Sequence, residues 1–115
     1  DLEERLLEYA ASIVKFTQPM GRDYAEAHIA NRLISSGTAP LSFHGEARSC
    51  SSRKESTRKL SLGLRALRDS ERWLRLIEKS ELVPDSDGLE SIQDETAQLI
   101  RIFVASIEAS RKPHQ

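Results

Sequence analysis

Along residues 2–17, LEERLLEYAASIVKFT, apolar side chains fall at Leu2, Leu6, Tyr9, Ile13 and Phe16, at steps of four, three, four and three. That spacing predicts one buried face of an amphipathic helix. Glu3, Glu4 and Glu8 lie toward the positive end of its macrodipole and Lys15 toward the negative end, an arrangement that stabilises a helix. Gln18-Pro19 ends it, because the residue before a proline resists the αR region. Later in the chain, Leu60, Leu64, Leu67, Leu74 and Ile77 keep helical phase from Ser52 to about residue 80, and Ile92, Leu99, Phe103 and Ile107 from Asp87 to about residue 110. Asp23, Ser52 and Asp87 each stand three residues before a glutamate. The Ser52–Glu55 pair has the capping-box form and the two aspartate pairs are close relatives of it. LVPDSDG separates the last two helices. No segment of useful length has a period of two, so the predicted class is all-α.

The stretch SGTAPLSFHGEARS, residues 36–49, is harder to read because it holds a proline and two glycines. From Tyr24 the apolar or small positions Ala27, Ala30, Ile34, Gly37, Leu41 and Gly45 continue at steps of three or four, and the phase passes through Pro40 without resetting. A proline inside a helix removes one hydrogen bond and clashes with the carbonyl four residues back, here that of Ser36. Ser36-Gly37 is a natural place for the resulting bend. The expectation is one long second helix, kinked near Pro40 and ending around Arg48 to Cys50; the alternative is two helices split by a loop at 37–42. Four helices with short connections make an up-down-up-down bundle. At 115 residues the chain has the size of one domain, spanning 1–115, with a single core.

Composition narrows the function classes. One cysteine, Cys50, leaves no internal disulfide and no metal-spaced set. No apolar run reaches the roughly 18 residues that a membrane span needs, and no leader pattern opens the chain. The expected compartment is the cytoplasm. His28 and His44 are 16 residues apart, which puts them on different faces of one helix, so no shared metal is expected. His44-Gly45-Glu46 has the look of a catalytic fragment, but no nucleophile or second carboxylate stands at a defined spacing from it. Glu46 is expected to be structural, paired with Arg48 or another arginine. The run SCSS at 49–52 reads as a helix-to-helix turn with its cap. No phosphate loop, zinc spacing or serine-hydrolase elbow is present. The chain is expected to be non-catalytic, without a metal or cofactor.

Charge carries more information. The net charge is −1, yet nine basic residues and three acidic ones lie between Arg48 and Arg75, while seven acidic residues and only Lys79 lie between Glu78 and Glu95. Such segregation says more about partners than the net value does. Lys54, Arg58, Arg65, Arg68, Arg72 and Arg75 fall within about 100° of helical arc, a stripe ~31 Å long opposite the leucines. Five of these six are arginine, the side chain suited to bidentate phosphate or carboxylate contact. Together with Arg48 they are candidate contacts for an RNA or DNA backbone. Two other readings stay open. Glu55, Asp69, Glu71 and the acidic start of the fourth helix could neutralise the stripe within the chain, or the stripe could meet the acidic region of a second copy.

From about Ala30 to Leu82, nearly half of the chain, the residues NRLISSGTAP…GEARS…SRKES…KLSLGLRALRDSERWLRLI resemble a four-helix-bundle family. It comprises the proteins encoded in intervening sequences of bacterial large-subunit (23S) ribosomal RNA and, more distantly, accessory proteins of diversity-generating retroelements. Gly45-Glu46-Ala47, Arg48-Ser49 and Ser52 to Glu55 occupy the family's motif positions, with Pro40 in the helix before them. Phe43 and Ser56 depart from it, standing where the family typically has asparagine and phenylalanine. The resemblance implies a non-catalytic, homo-oligomeric bundle, typically a pentamer, with nucleic-acid binding proposed for some members.

Overall fold

The structure, a computed structural model, describes residues 1–84 and 88–111. Four helices follow in order: α1 (Leu2–Thr17), α2 (Tyr24–Ser49), α3 (Arg53–Ser80) and α4 (Leu89–Arg111), with no strand among the described residues. Their starts are chemically determined. The side chains of Asp1, Asp23 and Ser52 accept hydrogen bonds from the backbone N–H of Glu4, Glu26 and Glu55 at 2.9, 2.9 and 3.1 Å, filling donors that a helix leaves open. The expected cap Asp87 lies outside the described residues. Cys50 closes α2 in extended geometry two residues before Ser52 caps α3, so SCSS is the expected turn.

Side-chain pairs fix the directions. Glu3 meets Arg48, and Glu46 meets Lys59 beside the α2–α3 turn. Thr57 bonds Ser110 at one end of the α3–α4 pair, and Glu78 bonds Gln93 at the other. Arg5 reaches Glu95 across α1 and α4. Each helix packs on two neighbours, giving an up-down-up-down four-helix bundle of 54 × 21 × 20 Å. Leu6, Ile13, Leu33, Leu67, Leu74, Leu99 and Phe103 fill its axis. Two glycines let helices approach: a Cβ on Gly37 would sit 2.8 Å from Ile13 Cγ1, and one on Gly63 2.7 Å from Phe103 Cε2.

α2 runs unbroken through Pro40, which is itself buried. Just before it, Thr38 Oγ1 donates to the Ile34 carbonyl at 2.7 Å and Ser36 Oγ to that of Leu33 at 3.3 Å. Hydroxyls that take up preceding carbonyls loosen and bend helices, which is what a proline ring requires. The buried face of α2 differs from the expected one. It runs through Glu26, Ile29, Ala30, Leu33, Ser36, Gly37, Pro40, His44 and Ala47; of the expected positions Ala30 and Gly37 are buried, while Ala27, Ile34, Leu41 and Gly45 are half-buried at its margin. Small residues give this helix little contrast between its faces, so contacts with α1 and α3 decide the rotation. Buried hydroxyls on it and its partners are paired: Ser70 Oγ donates to Ser36 Oγ at 2.8 Å, and Thr96 Oγ1 donates to the Ile92 carbonyl at 2.7 Å. With that proton committed, Thr96 accepts the hydrogen bond from Tyr9 Oη at 2.7 Å.

Candidate nucleic-acid interface

α3 packs against α2 on one side and α4 on the other. Its inward arc carries Gly63, Ala66 and Ser70 between leucines, so both neighbours come close and the opposite arc is left to solvent. Lys54, Arg58, Arg65, Arg68, Arg72 and Arg75 are all exposed on that arc. Among the described residues, Arg72 alone of the six has an ion pair, to Asp69 at 3.1 Å between side chains 71% and 52% exposed. A pair so solvated contributes little. Glu55 and Glu71 hold none of the six, and the described acidic residues of α4 reach none of them. A shallow depression between Ser61, Leu64, Arg65, Arg68, Asp69 and Arg72 runs along the stripe.

The seventh candidate stands apart. Arg48 is exposed, but its guanidinium lies 3.8 Å from the Glu3 carboxylate, on the α1–α2 seam. Glu46 also differs from expectation: its partner is Lys59 of α3, at 2.7 Å, and no arginine. Glu46 and Arg48 are two residues apart on a helix and point to different sides, whereas Lys59 rises across the turn. Gly45 is half-buried with open space where a Cβ would stand; nothing in the packing explains a glycine there.

His28 is exposed and His44 buried, so the two are separated as the spacing requires. Among the described residues His44 Nδ1 has no hydrogen-bond partner, and it lies 3.9 Å from Glu3 Oε1. Burial pushes its pKa down, opposed by Glu3 and reinforced by Arg48, which keeps the imidazole neutral and unsuited to hold an anion. The Glu26 carboxyl is held below its ordinary value chiefly by the Gly21 N–H, with further help from Arg22, and serves the α1–α2 connection. Among the described residues no three His, Cys, Asp or Glu side chains gather as a metal site would need, and no helix is long and apolar enough to cross a membrane.

Sequence reasoning missed a second feature beside the stripe. Tyr24 and His28 stack at 5.9 Å, and His28 meets Trp73 of α3 edge-on at 6.3 Å. Trp73 lines a groove of 590 Å³ between α2 and α3, with Arg32 and Arg72 beside it. The spacing of Tyr24 and His28, four apart, announces that they meet; the approach of Trp73 depends on the α2–α3 register, which no local signal carries.

No family model matches this chain, and no curated protein does. Among solved structures it is similar to a protein of unknown function from the S23 ribosomal protein family from Bacteroides thetaiotaomicron. The TM-score is 0.82 at 24% sequence identity, over 93% of this chain and 98% of that one. A likeness at that identity is one of fold. It takes in nearly the whole chain, beyond the Ala30–Leu82 stretch that carries the sequence resemblance.

Proposed function

We propose that this chain is a non-catalytic bundle protein that binds the RNA or DNA backbone along the outer edge of α3. The observation that carries the reading is the state of that edge: six cations in solvent, one of them in an intrachain ion pair among the described residues. Like charges three and four residues apart on a helix disfavour the fold slightly, so an edge that gathers six of them with one ion pair among the described residues is explained by an external anion. Guanidinium groups along a straight helix neutralise phosphates without reading bases. The fold shared with an S23-family protein and the motif resemblance support kinship with the ribosomal RNA intervening-sequence proteins and the retroelement accessory proteins.

The protein acts in the cytoplasm as a homo-oligomer, a pentamer by that resemblance. Leu7, Ala11 and Val14 form an exposed apolar line on α1, at the spacing of a helix–helix seam, on the helix diagonal to α3. Assembly through α1 would leave the cationic edges free.

Titrating the full chain with large-subunit ribosomal RNA fragments and random oligonucleotides over a salt series, with mass measured by light scattering, tests this reading. Binding at low salt is expected, with a log–log slope approaching about −4 if each of the six cations meets a phosphate on a single strand. The second reading, a self-associating scaffold without nucleic-acid affinity, is favoured by the same α1 line. It predicts no binding at low salt, and in that outcome it replaces the first.

A further inference from the structure

Tyr24 opens α2 and is 83% exposed. Tyr9, Phe16 and Phe103 are buried in the core, so Tyr24 is an aromatic side chain that folding does not use. One face of its ring lies against His28 with 22° between the planes, and the other is open to solvent. Beyond His28 stands Trp73, half-buried, packed on the core and lining the α2–α3 groove. Arg72 and Asp69 border both this groove and the depression that holds Arg65 and Arg68, so the groove that Trp73 lines adjoins the cationic edge. Arg32, exposed on α2, adds a cation on its far side.

We propose that this corner stacks unpaired nucleobases of a strand whose phosphates follow α3, so that the protein selects single-stranded nucleic acid over duplex. The inference rests on the reading of α3 as a phosphate-binding edge and adds the state of the polymer bound. The open face of Tyr24 takes one base, and Arg72 and Arg32 hold the phosphates on either side of the groove floored by Trp73. Aromatic faces accept any base, because every base has a π-face. Paired bases inside a duplex offer no free face, so a duplex gains only the phosphate contacts.

The test uses the full chain with labelled oligo(dT), oligo(U) and a duplex of equal length at low salt. Trp73 is the only tryptophan, so its emission reports on the groove. Both single strands are expected to bind more tightly than the duplex and to quench that emission. Tyr24→Ala is expected to weaken single-strand binding by roughly five- to a hundredfold and to leave duplex affinity unchanged, while Tyr24→Phe, which keeps the ring, retains it. Either sugar sustaining these effects supports the proposal. If strands and duplex bind but Tyr24→Ala changes nothing, or weakens both alike, the stacking corner is wrong and the phosphate edge stands. If neither binds, the phosphate edge itself fails, and the corner falls with it.

Discussion

The seam between α1 and α4 and the outer edge of α3 are both rich in charge, and they treat it in opposite ways. On the seam, Arg5 makes three hydrogen bonds: Nε and Nη2 donate to the two oxygens of Glu95 at 2.7 and 2.8 Å, and Nη2 donates again to Gln98 at 2.7 Å. That carboxylate holds the Arg5 pKa above its ordinary value. Just inside, Tyr9 and Thr96 complete the polar layer, and burial raises the Tyr9 pKa against the opposing bonds to Thr96 and Ser70. On the α3 edge, six exposed cations share a single ion pair among the described residues. Across helices charge is paired, as in Arg5–Glu95 and Glu46–Lys59; along the outer edge of α3 it is largely unpaired among the described residues.

Substitutions can break that contrast from either side. The largest effect is expected where helices touch. Gly63→Val drives a side chain into the buried Phe103 ring and should destabilise the bundle by up to about 3 kcal/mol in denaturant unfolding. Thr96→Val removes the acceptor of the Tyr9 hydroxyl; with Ser70 also close to that hydroxyl, the expected loss is about 1 kcal/mol. The paired change Tyr9→Phe with Thr96→Val should recover part of it.

A smaller effect appears with pH. His44 is buried with a lowered pKa, so the unfolded chain takes up the proton first. The stabilisation from burying neutral His44 is complete above its ordinary value of 6.5 and erodes as pH falls below it toward the folded value. Thermal unfolding followed from neutral to mildly acidic pH should show this slope, and His44→Gln should flatten it. The smallest effect has the opposite sign. Arg68→Gln relieves like-charge contacts with Arg65 and Arg72 and should leave stability unchanged or raise it by about 0.2–0.5 kcal/mol for each. A marked loss instead would mean that the edge is structural.

Much of this architecture could be read from periodicity. Leu6, Tyr9, Ile13 and Phe16 on α1, Leu67, Leu74 and Ile77 on α3, and Ile92, Leu99, Phe103 and Ile107 on α4 are buried as their spacing predicts, because large apolar groups dominate those faces. α2 resisted, since alanine, glycine and serine on every side leave its rotation to its neighbours. The interior hydroxyl pairs were invisible for a related reason: serine and threonine are polar in a pattern, and only the approach of Ser36 to Ser70 or Tyr9 to Thr96 makes burial tolerable. The cationic edge was legible as a stripe, because one helix suffices to define it. How few partners it finds among the described residues was not, since that depends on where the carboxylates of three other helices end up.

The central claim is that the α3 edge is a surface for phosphates and not a support for the fold. Replacing Arg65, Arg68 and Arg72 together by glutamine and measuring single-strand affinity across a salt series addresses it directly. The account predicts weaker binding, a log–log slope shallower by about 2 units, corresponding to three lost phosphate contacts, and an undiminished melting temperature. An affinity and slope equal to those of the unmodified protein would contradict it.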